Sequence, residues 1–484
     1  MGSTLVAVRR AVDRLPSTIR RPGTDVWWGL AAAATTLFLV RLLAAGWPTR
    51  YPPPFPDSAS YFKVATLGPL RPSFWFGERP VLTPLLYWAL GRNVQLIVLA
   101  QSLIYVAAFW WAGRVLWLIG SSAVARGVGT ALLVGVAVQP RFALWNLHVL
   151  SESLSISLGV AMAATWVWFA ARPDRRRLHA AFAITALWAL TRDSNLLIAV
   201  VFVLPAVGVA AWRSLAIDRA TMRTVRRWVV AFVVIAVYVV SAQASSGRNR
   251  YPTLNVIGQR VLFDSDLTDF YVDAGMPLDD ALLGRRGRNS WDDGEAFLRS
   301  PELAELRSWA RSRGQTVQLT SSVLQAHIWV PEVWRDLPAQ LAYTSGDYDT
   351  FGVYGRLPDD IPVIDGPRSR VELYVWGALA ALGIVALVTS RRHRGIGIAL
   401  AVALVATAAD VYVSWVGDSV EVQRHLVGAI SRLGVLLALT YALGVERLTE
   451  PRLPAGIGTA GRTSGARVDP HPSTDDTPTD VARW

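Results

Sequence analysis

The sequence predicts an all-α polytopic membrane protein of about ten transmembrane helices, with a small, mixed or mostly helical extracytoplasmic domain. Three observations lead there. Of 484 residues, 52% are hydrophobic and 17% charged, where a soluble chain carries about a quarter charged. Apolar runs of about 20 residues, the length that spans a bilayer as a helix, recur along the chain. The connections between those runs alternate between arginine-rich and arginine-poor, as the positive-inside rule demands of a multi-span protein.

In chain order, residues 1–25 hold Arg9, Arg10, Arg14, Arg20 and Arg21 with no apolar core ahead of a small-residue cleavage site. They read as a cytoplasmic basic arm rather than a signal peptide. An N-terminal membrane module follows over 26–246, with spans near 26–47, 93–119, 128–145, 149–171, 178–191, 195–212 and 228–245. Its first span opens on the interfacial pair Trp27 and Trp28. Residues 178–212 are apolar apart from Thr191-Arg192-Asp193-Ser194-Asn195. A single helix of that length would measure ~52 Å, too long for one span, so a hairpin of two short helices with a polar tip is expected.

The first external loop, 48–92, contains Tyr51 to Lys63 with four prolines in five residues, then Pro80 and Pro84 in apolar sequence. Those prolines favour a short interfacial or re-entrant helix over a full span. An extracytoplasmic domain is expected over 247–368, too long a stretch for a plain loop. Within it, Ser300-Pro301-Glu302 predicts a helix start and Gly314 its end. C-terminal membrane helices occupy 369–446, with spans near 371–389, 395–416 and 426–445. The remainder, 447–484, is rich in Pro, Gly, Thr, Ser and Asp and reads as a disordered cytoplasmic tail.

Charge sets the orientation. Connections 120–127, 172–177, 213–227 and 391–394 concentrate arginine, which puts them and both termini on the cytoplasmic side. Segment 247–368 carries 13 basic and 18 acidic residues and the rest of the chain 35 basic and 18 acidic. The net charge of +12 is therefore an orientation signal rather than a nucleic-acid footprint. The 47 arginines against the single lysine, Lys63, match the codon usage of a GC-rich genome. The absence of cysteine excludes disulfides, Cys-ligated zinc, iron–sulfur centres and thiol nucleophiles. No Walker loop, dinucleotide fingerprint or nucleophile elbow occurs.

Ionisable residues near hydrocarbon are costly and are candidates for function. In this topology Asp57, Lys63, Glu78, Arg79, Arg141, His148, Glu152, Arg192, Asp193, Asp410, Asp418, Glu421, Arg424, His425 and Arg432 gather on the external side. Two roles fit Asp57: a helix-capping carboxylate, or a rigidly held general base with Tyr61 one turn beyond it. Glu78 and Arg79 can pair at the interface, and Arg192 and Asp193 can cap each other. Glu152 at a span start can complement the helix dipole, and Lys63 can contact phosphate or solvate its loop. Arg424 and His425 can anchor a span or hold a phosphate. Arg432, seven residues after His425 and ~10 Å deeper on the same face, can hold phosphate or pair with Asp410.

The chain resembles the glycosyltransferase C superfamily, the multi-span enzymes that take sugars from polyprenyl-phosphate carriers. The likeness rests on Asp57 with Tyr61, on Arg79-Pro80 to Pro84-Leu85-Leu86-Tyr87, on Leu150-Ser151-Glu152-Ser153-Leu154 and on Thr191-Arg192-Asp193. It covers about the first 200 residues in order. The family's acidic doublet is here Asp57-Ser58, which leaves a second carboxylate and any divalent metal open; no metal ligands are assigned, and the sequence shows no required cofactor.

The resemblance implies an inverting transfer of one sugar from a polyprenyl-phosphate donor to a cell-envelope glycan, lipid or protein acceptor, outside a bacterial cytoplasmic membrane. Asp57 would be its catalytic base. Lys63, Glu78, Arg79, Glu152, Arg192, Asp193, Arg424, His425 and Arg432 would bind substrate or lipid phosphate. The alternative is a multi-span transporter or a lipid or glycolipid flippase, which would line a path near the midplane with polar residues and show related half-repeats. A non-catalytic scaffold for envelope assembly is a third possibility.

Overall fold

The computed structural model describes residues 32, 35–36, 56–200, 219–248, 250–342, 369–420 and 422–449. Among the described residues it is all-helical, with six helices long and apolar enough to cross a membrane, or seven if a bent pair counts as one span. The protein is thus a multi-span helical membrane protein by the length and composition of its helices. The expected span 26–47 and most of 195–212 lie outside the described residues.

Helix α1 (Pro56–Leu67) is followed by a single helical turn, Pro72–Trp75, and by α2 (Leu82–Ala89). Next are α3 (Val94–Ile119), capped at its start by the Asn93 side chain, and α4 (Ala123–Ala137), capped by Ser122. Each cap supplies an acceptor to a backbone N–H that has no partner inside the helix. The expected span 128–145 is interrupted: α4 ends at Ala137, and Pro140 starts a second, short helical stretch bent from it by 57°. Pro140 has no N–H and tolerates only a first-turn position, which accounts for the break.

Helix α5 (Glu152–Ala171) is followed by α6 (Arg175–Ala189) and α7 (Asp193–Ile198), then by α8 (Arg219–Ser246). At 15 residues α6 is shorter than a usual span, and the chain turns between it and α7 at Thr191 and Arg192. Segment 250–342 is a set of short helices that includes α9 (Arg250–Gln259), α10 (Gln315–Leu324) and α11 (Ala326–Ala342). The long C-terminal helices are α12 (Arg370–Thr389), α13 (Arg394–Gly417) and α14 (Val422–Thr449).

Burial ranks these helices. In α14 and α5, 83% and 72% of the apolar window is buried, against 17% in both α8 and α12. The first two form the centre, and the last two present Val233, Val237, Leu379 and Leu382 outward as lipid-facing helices do. Helices α12 and α14 approach closely where a Cβ on Gly444 would lie 3.0 Å from the Cα of Gly383. Glycine at that crossing lets the backbones touch, the usual device where lipid offers no hydrophobic drive for association.

Segment 250–342 shares one apolar core with the membrane helices, through Leu254, Ile257, Trp329 and Val333 beside Val411, Trp415 and Val422. It also satisfies the C-terminal carbonyls of α13. Gln318 Nε2 donates to Val416 O and Gly417 O, both at 3.0 Å, and Arg260 donates to Trp415 O while stacking on its ring. The predicted helix stop at Gly314 is not observed. The chain runs on through a π-helical turn, Ala310–Gly314, into α10. Gly314 is buried there, where a Cβ would lie 2.8 Å from Thr253, so its smallness serves packing rather than termination.

The bundle has two chemically distinct ends. At one, Ser121 N donates to Glu446, Arg175 Nε donates to Thr224 Oγ1, and Gly395 closes on Ala170 O. These contacts gather Arg172, Arg175, Arg176, Arg177, Arg391, Arg392 and Arg394 into one basic rim. The starts of α5, α7 and α14 and the end of α13 meet at the other.

Candidate functional site

At that second end, Asp57 stands in the first turn of α1, half-buried, with both carboxylate oxygens engaged. Arg79 Nη2 donates to Oδ1, and Arg424 Nη1 donates to Oδ2 at 2.7 Å. Arg79 comes from the bend before α2. Its Nε donates to Ser60 Oγ at 2.5 Å, and its guanidinium lies 4.9 Å over the Tyr61 ring. Ser60 Oγ in turn donates to the Asp57 carbonyl at 2.7 Å, which ties the first turn of α1 to Arg79. Asp57 therefore faces two cations rather than a backbone cap. Burial opposes its ionisation, but the guanidinium groups of Arg424 and Arg79 more than offset this and hold the carboxyl below its ordinary value.

Arg424, buried in the first turn of α14, also donates from Nε to Glu152 Oε1 at 2.7 Å. Glu152 is fully buried at the start of α5. One guanidinium thus bridges two carboxylates from elements far apart in sequence, using the fixed fork that lysine lacks.

Arg192 donates to His425 Nδ1, and His425 Nε2 lies 3.5 Å from Asp418 Oδ2. The arginine can only donate, so Nδ1 accepts and Nε2 carries the proton toward Asp418. Asp418 Oδ1 accepts from Val420 N at 3.0 Å and from Asn255 Nδ2 at 3.1 Å. Burial raises the Asp418 carboxyl, but the His425 contact leads a set of hydrogen bonds that brings it below its ordinary value. Asp193 forms a bidentate pair with Arg248, at 2.6 and 2.8 Å, and Arg248 Nη1 donates to Gly77 O at 3.0 Å.

Of the residues singled out in the sequence, Asp57, Arg79, Glu152, Arg192, Asp418, Arg424 and His425 belong to this assembly, with the Asp193–Arg248 pair beside Arg192; Glu421 lies outside the described residues. The others stand apart. Lys63 and Glu78 pair with each other at 3.0 Å on the exposed side of α1, and so neither Glu78–Arg79 nor Arg192–Asp193 pairs within itself. Arg432 is buried deeper along α14, pairs with Asp410 of α13 and lies 4.6 Å over the Trp188 ring. Gly159 of α5 makes room for it, since a Cβ there would sit 3.0 Å from Arg432 Nη1.

No protein-family model, curated protein or solved structure matches the chain. The site therefore rests on its own chemistry. Among the described residues no group of three or more His, Asp or Glu side chains converges as metal ligands would. What converges is a half-exposed carboxylate between two guanidinium groups, backed by a second, buried carboxylate and flanked by an Arg–His–Asp chain.

Sequence reading did not single out Arg248, Asn255 or Ser60. A signal existed for Arg248: Ser-Gly-Arg-Asn-Arg ends the apolar run of α8, placing arginine at the border of a span, as for the other candidates. Asn255 and Ser60 carry no comparable mark, because neither charge nor spacing distinguishes them.

Proposed function

We propose that the protein is an integral membrane glycosyltransferase that moves one sugar from a polyprenyl-phosphate donor onto a cell-envelope glycan, lipid or protein. In this reading the chain has ten spans, both termini and the arginine rim face the cytoplasm, and the Asp57 end faces outward. The observation that carries it is the shared pair of arginines: Arg79 and Arg424 both touch the partly exposed carboxylate of Asp57 at that end.

The chemistry follows from that sharing. The acceptor hydroxyl oxygen attacks the anomeric carbon and its proton passes to Asp57. The bond from that carbon to the phosphate oxygen breaks, and its electron pair leaves with the polyprenyl phosphate. Arginine N–H groups aimed at the phosphate stabilise the charge it gains. A donor phosphate that draws Arg79 and Arg424 toward itself also removes the cations that hold the Asp57 carboxyl low, so donor binding raises the basicity of Asp57. Positioned general-base catalysis of this kind contributes roughly 10² to 10⁴ in rate. Outside the cytoplasmic membrane there is no nucleotide-sugar pool, which makes a lipid-anchored donor the fitting substrate.

The test uses the full chain in lipid with radiolabelled polyprenyl-phosphate sugars and a cell-envelope extract. Transfer by the wild type, lost in Asp57→Asn, is the expected result. Transfer undiminished in Asp57→Asn removes the base assignment, and no transfer with any donor favours transport of a lipid or glycolipid instead.

A further inference from the structure

Trp291 is an exposed aromatic side chain, 55% accessible, that lies outside the membrane helices. Its ring stacks on Tyr251 at 5.5 Å with the planes 7° from parallel, and Tyr251 is held in turn by Arg250, whose guanidinium lies over that ring at 4.9 Å. The turn that presents Trp291 is fixed. Trp291 N donates to Asn289 Oδ1 at 2.8 Å, and Asn289 N donates to Asp292 Oδ2 at 2.8 Å. Asp293 and Glu295, just beyond, are held at φ 51° and 66°, a left-handed backbone that non-glycine residues adopt only where the surroundings enforce it.

The residues flanking Trp291 in the chain are polar: Asn289, Asp292, Arg288 and Asp293, the last two paired at 3.6 Å. A membrane surface or a hydrophobic protein partner calls for contiguous apolar area. A lone, rigid aromatic face rimmed by carboxylate, amide and guanidinium groups instead suits a sugar ring, which offers a C–H face to the aromatic and hydroxyls to the rim. The turn is also wired to the Asp57 end of the bundle. Ser290 N donates to Asn255 Oδ1 at 2.8 Å, and Asn255 Nδ2 donates to Asp418, the partner of His425.

We propose that Trp291, stacked on Tyr251, is a carbohydrate-binding subsite that seats a sugar ring of the acceptor glycan. The inference deepens the glycosyltransferase reading and rests on it only for the word acceptor; sugar binding at Trp291 stands or falls by itself.

The probe is a panel of short soluble glucan, mannan, galactan and arabinan oligosaccharides, with binding to the full chain in lipid nanodiscs followed by saturation-transfer NMR. At least one of them should bind the wild type and bind Trp291→Ala about tenfold more weakly, the loss expected for one aromatic stack. Trp291→Phe should lose less. Because Trp291 is exposed, its substitution leaves the core unchanged, and an unaltered melting temperature checks this. Binding of no oligosaccharide by the wild type, or equal binding by Trp291→Ala, overturns the inference. Trp291-dependent binding in a protein that transfers no sugar upholds it and refutes the transfer reading alone.

Discussion

Arg424 Nε lies 2.7 Å from Glu152 Oε1, joining the first turns of α14 and α5 across 272 residues of sequence. Both side chains are buried, so each depends on the other for its charge balance. Removing Arg424 would leave Glu152 as an unpaired buried charge. Arg424→Ala is therefore expected to destabilise the protein by about 3–5 kcal/mol. Arg424→Lys keeps the charge but cannot fork to both carboxylates, and should recover part of that stability while transfer stays at least about tenfold down. Thermal unfolding in nanodiscs, run beside the transfer assay, checks both.

The Asp57 carboxyl is held below its ordinary value of 3.8 by Arg424 and Arg79 against the cost of burial. A folded-state value depressed in this way adds stability that is present above pH 3.8 and is lost as pH falls through the lowered value. Asp57→Asn should therefore be less stable than the wild type at neutral pH. The gap should close in acid, below pH 3.8. Paired melting curves across that range measure it, and a gap that stays constant with pH would contradict the ion pairs.

Arg432 and Asp410 should behave as a closed structural pair. Each single neutral substitution, Arg432→Met or Asp410→Asn, strands a buried charge and should cost about 3–5 kcal/mol. The double variant should recover most of that, giving a coupling energy well above the ~0.5 kcal/mol seen for independent sites. Transfer per folded molecule in the double variant distinguishes the roles: retention assigns Arg432 to the scaffold, and loss assigns it to phosphate binding.

Side of membrane is directly testable because the chain has no cysteine. Ser308 and Arg176 are both exposed and belong to segment 250–342 and to the arginine rim, respectively. In intact cells a membrane-impermeant thiol reagent should label Ser308→Cys and spare Arg176→Cys. The reverse pattern would place the Asp57 end in the cytoplasm and remove the argument for a lipid-linked donor.

The six long spans among the described residues were legible because each is a local property: a run such as 94–119 declares itself by composition, whatever surrounds it. Candidate residues were legible for the same reason, as charges beside apolar runs. Their partners were not. Glu78 and Arg79 are adjacent in sequence and invite pairing, yet the bend after Trp75 sends one outward to Lys63 and the other inward to Asp57. Asp193 finds Arg248 and Arg192 finds His425, contacts set by how α7, α8 and α14 meet rather than by spacing. Gly314 misled for a related reason, since glycine marks a helix end and a tight crossing equally well in one dimension.

The two most buried helices, α5 and α14, both begin at the ion cluster, while the outermost, α8 and α12, contribute little to it. A bilayer thicker or thinner than the hydrophobic belt is accommodated by tilting whatever faces lipid. That adjustment falls on α8 and α12, leaving the Arg424 bridge in register. The depth of Asp57 is thus set by protein packing against protein, and its chemistry should be insensitive to acyl-chain length, so short- and long-chain lipids would serve equally well for reconstitution.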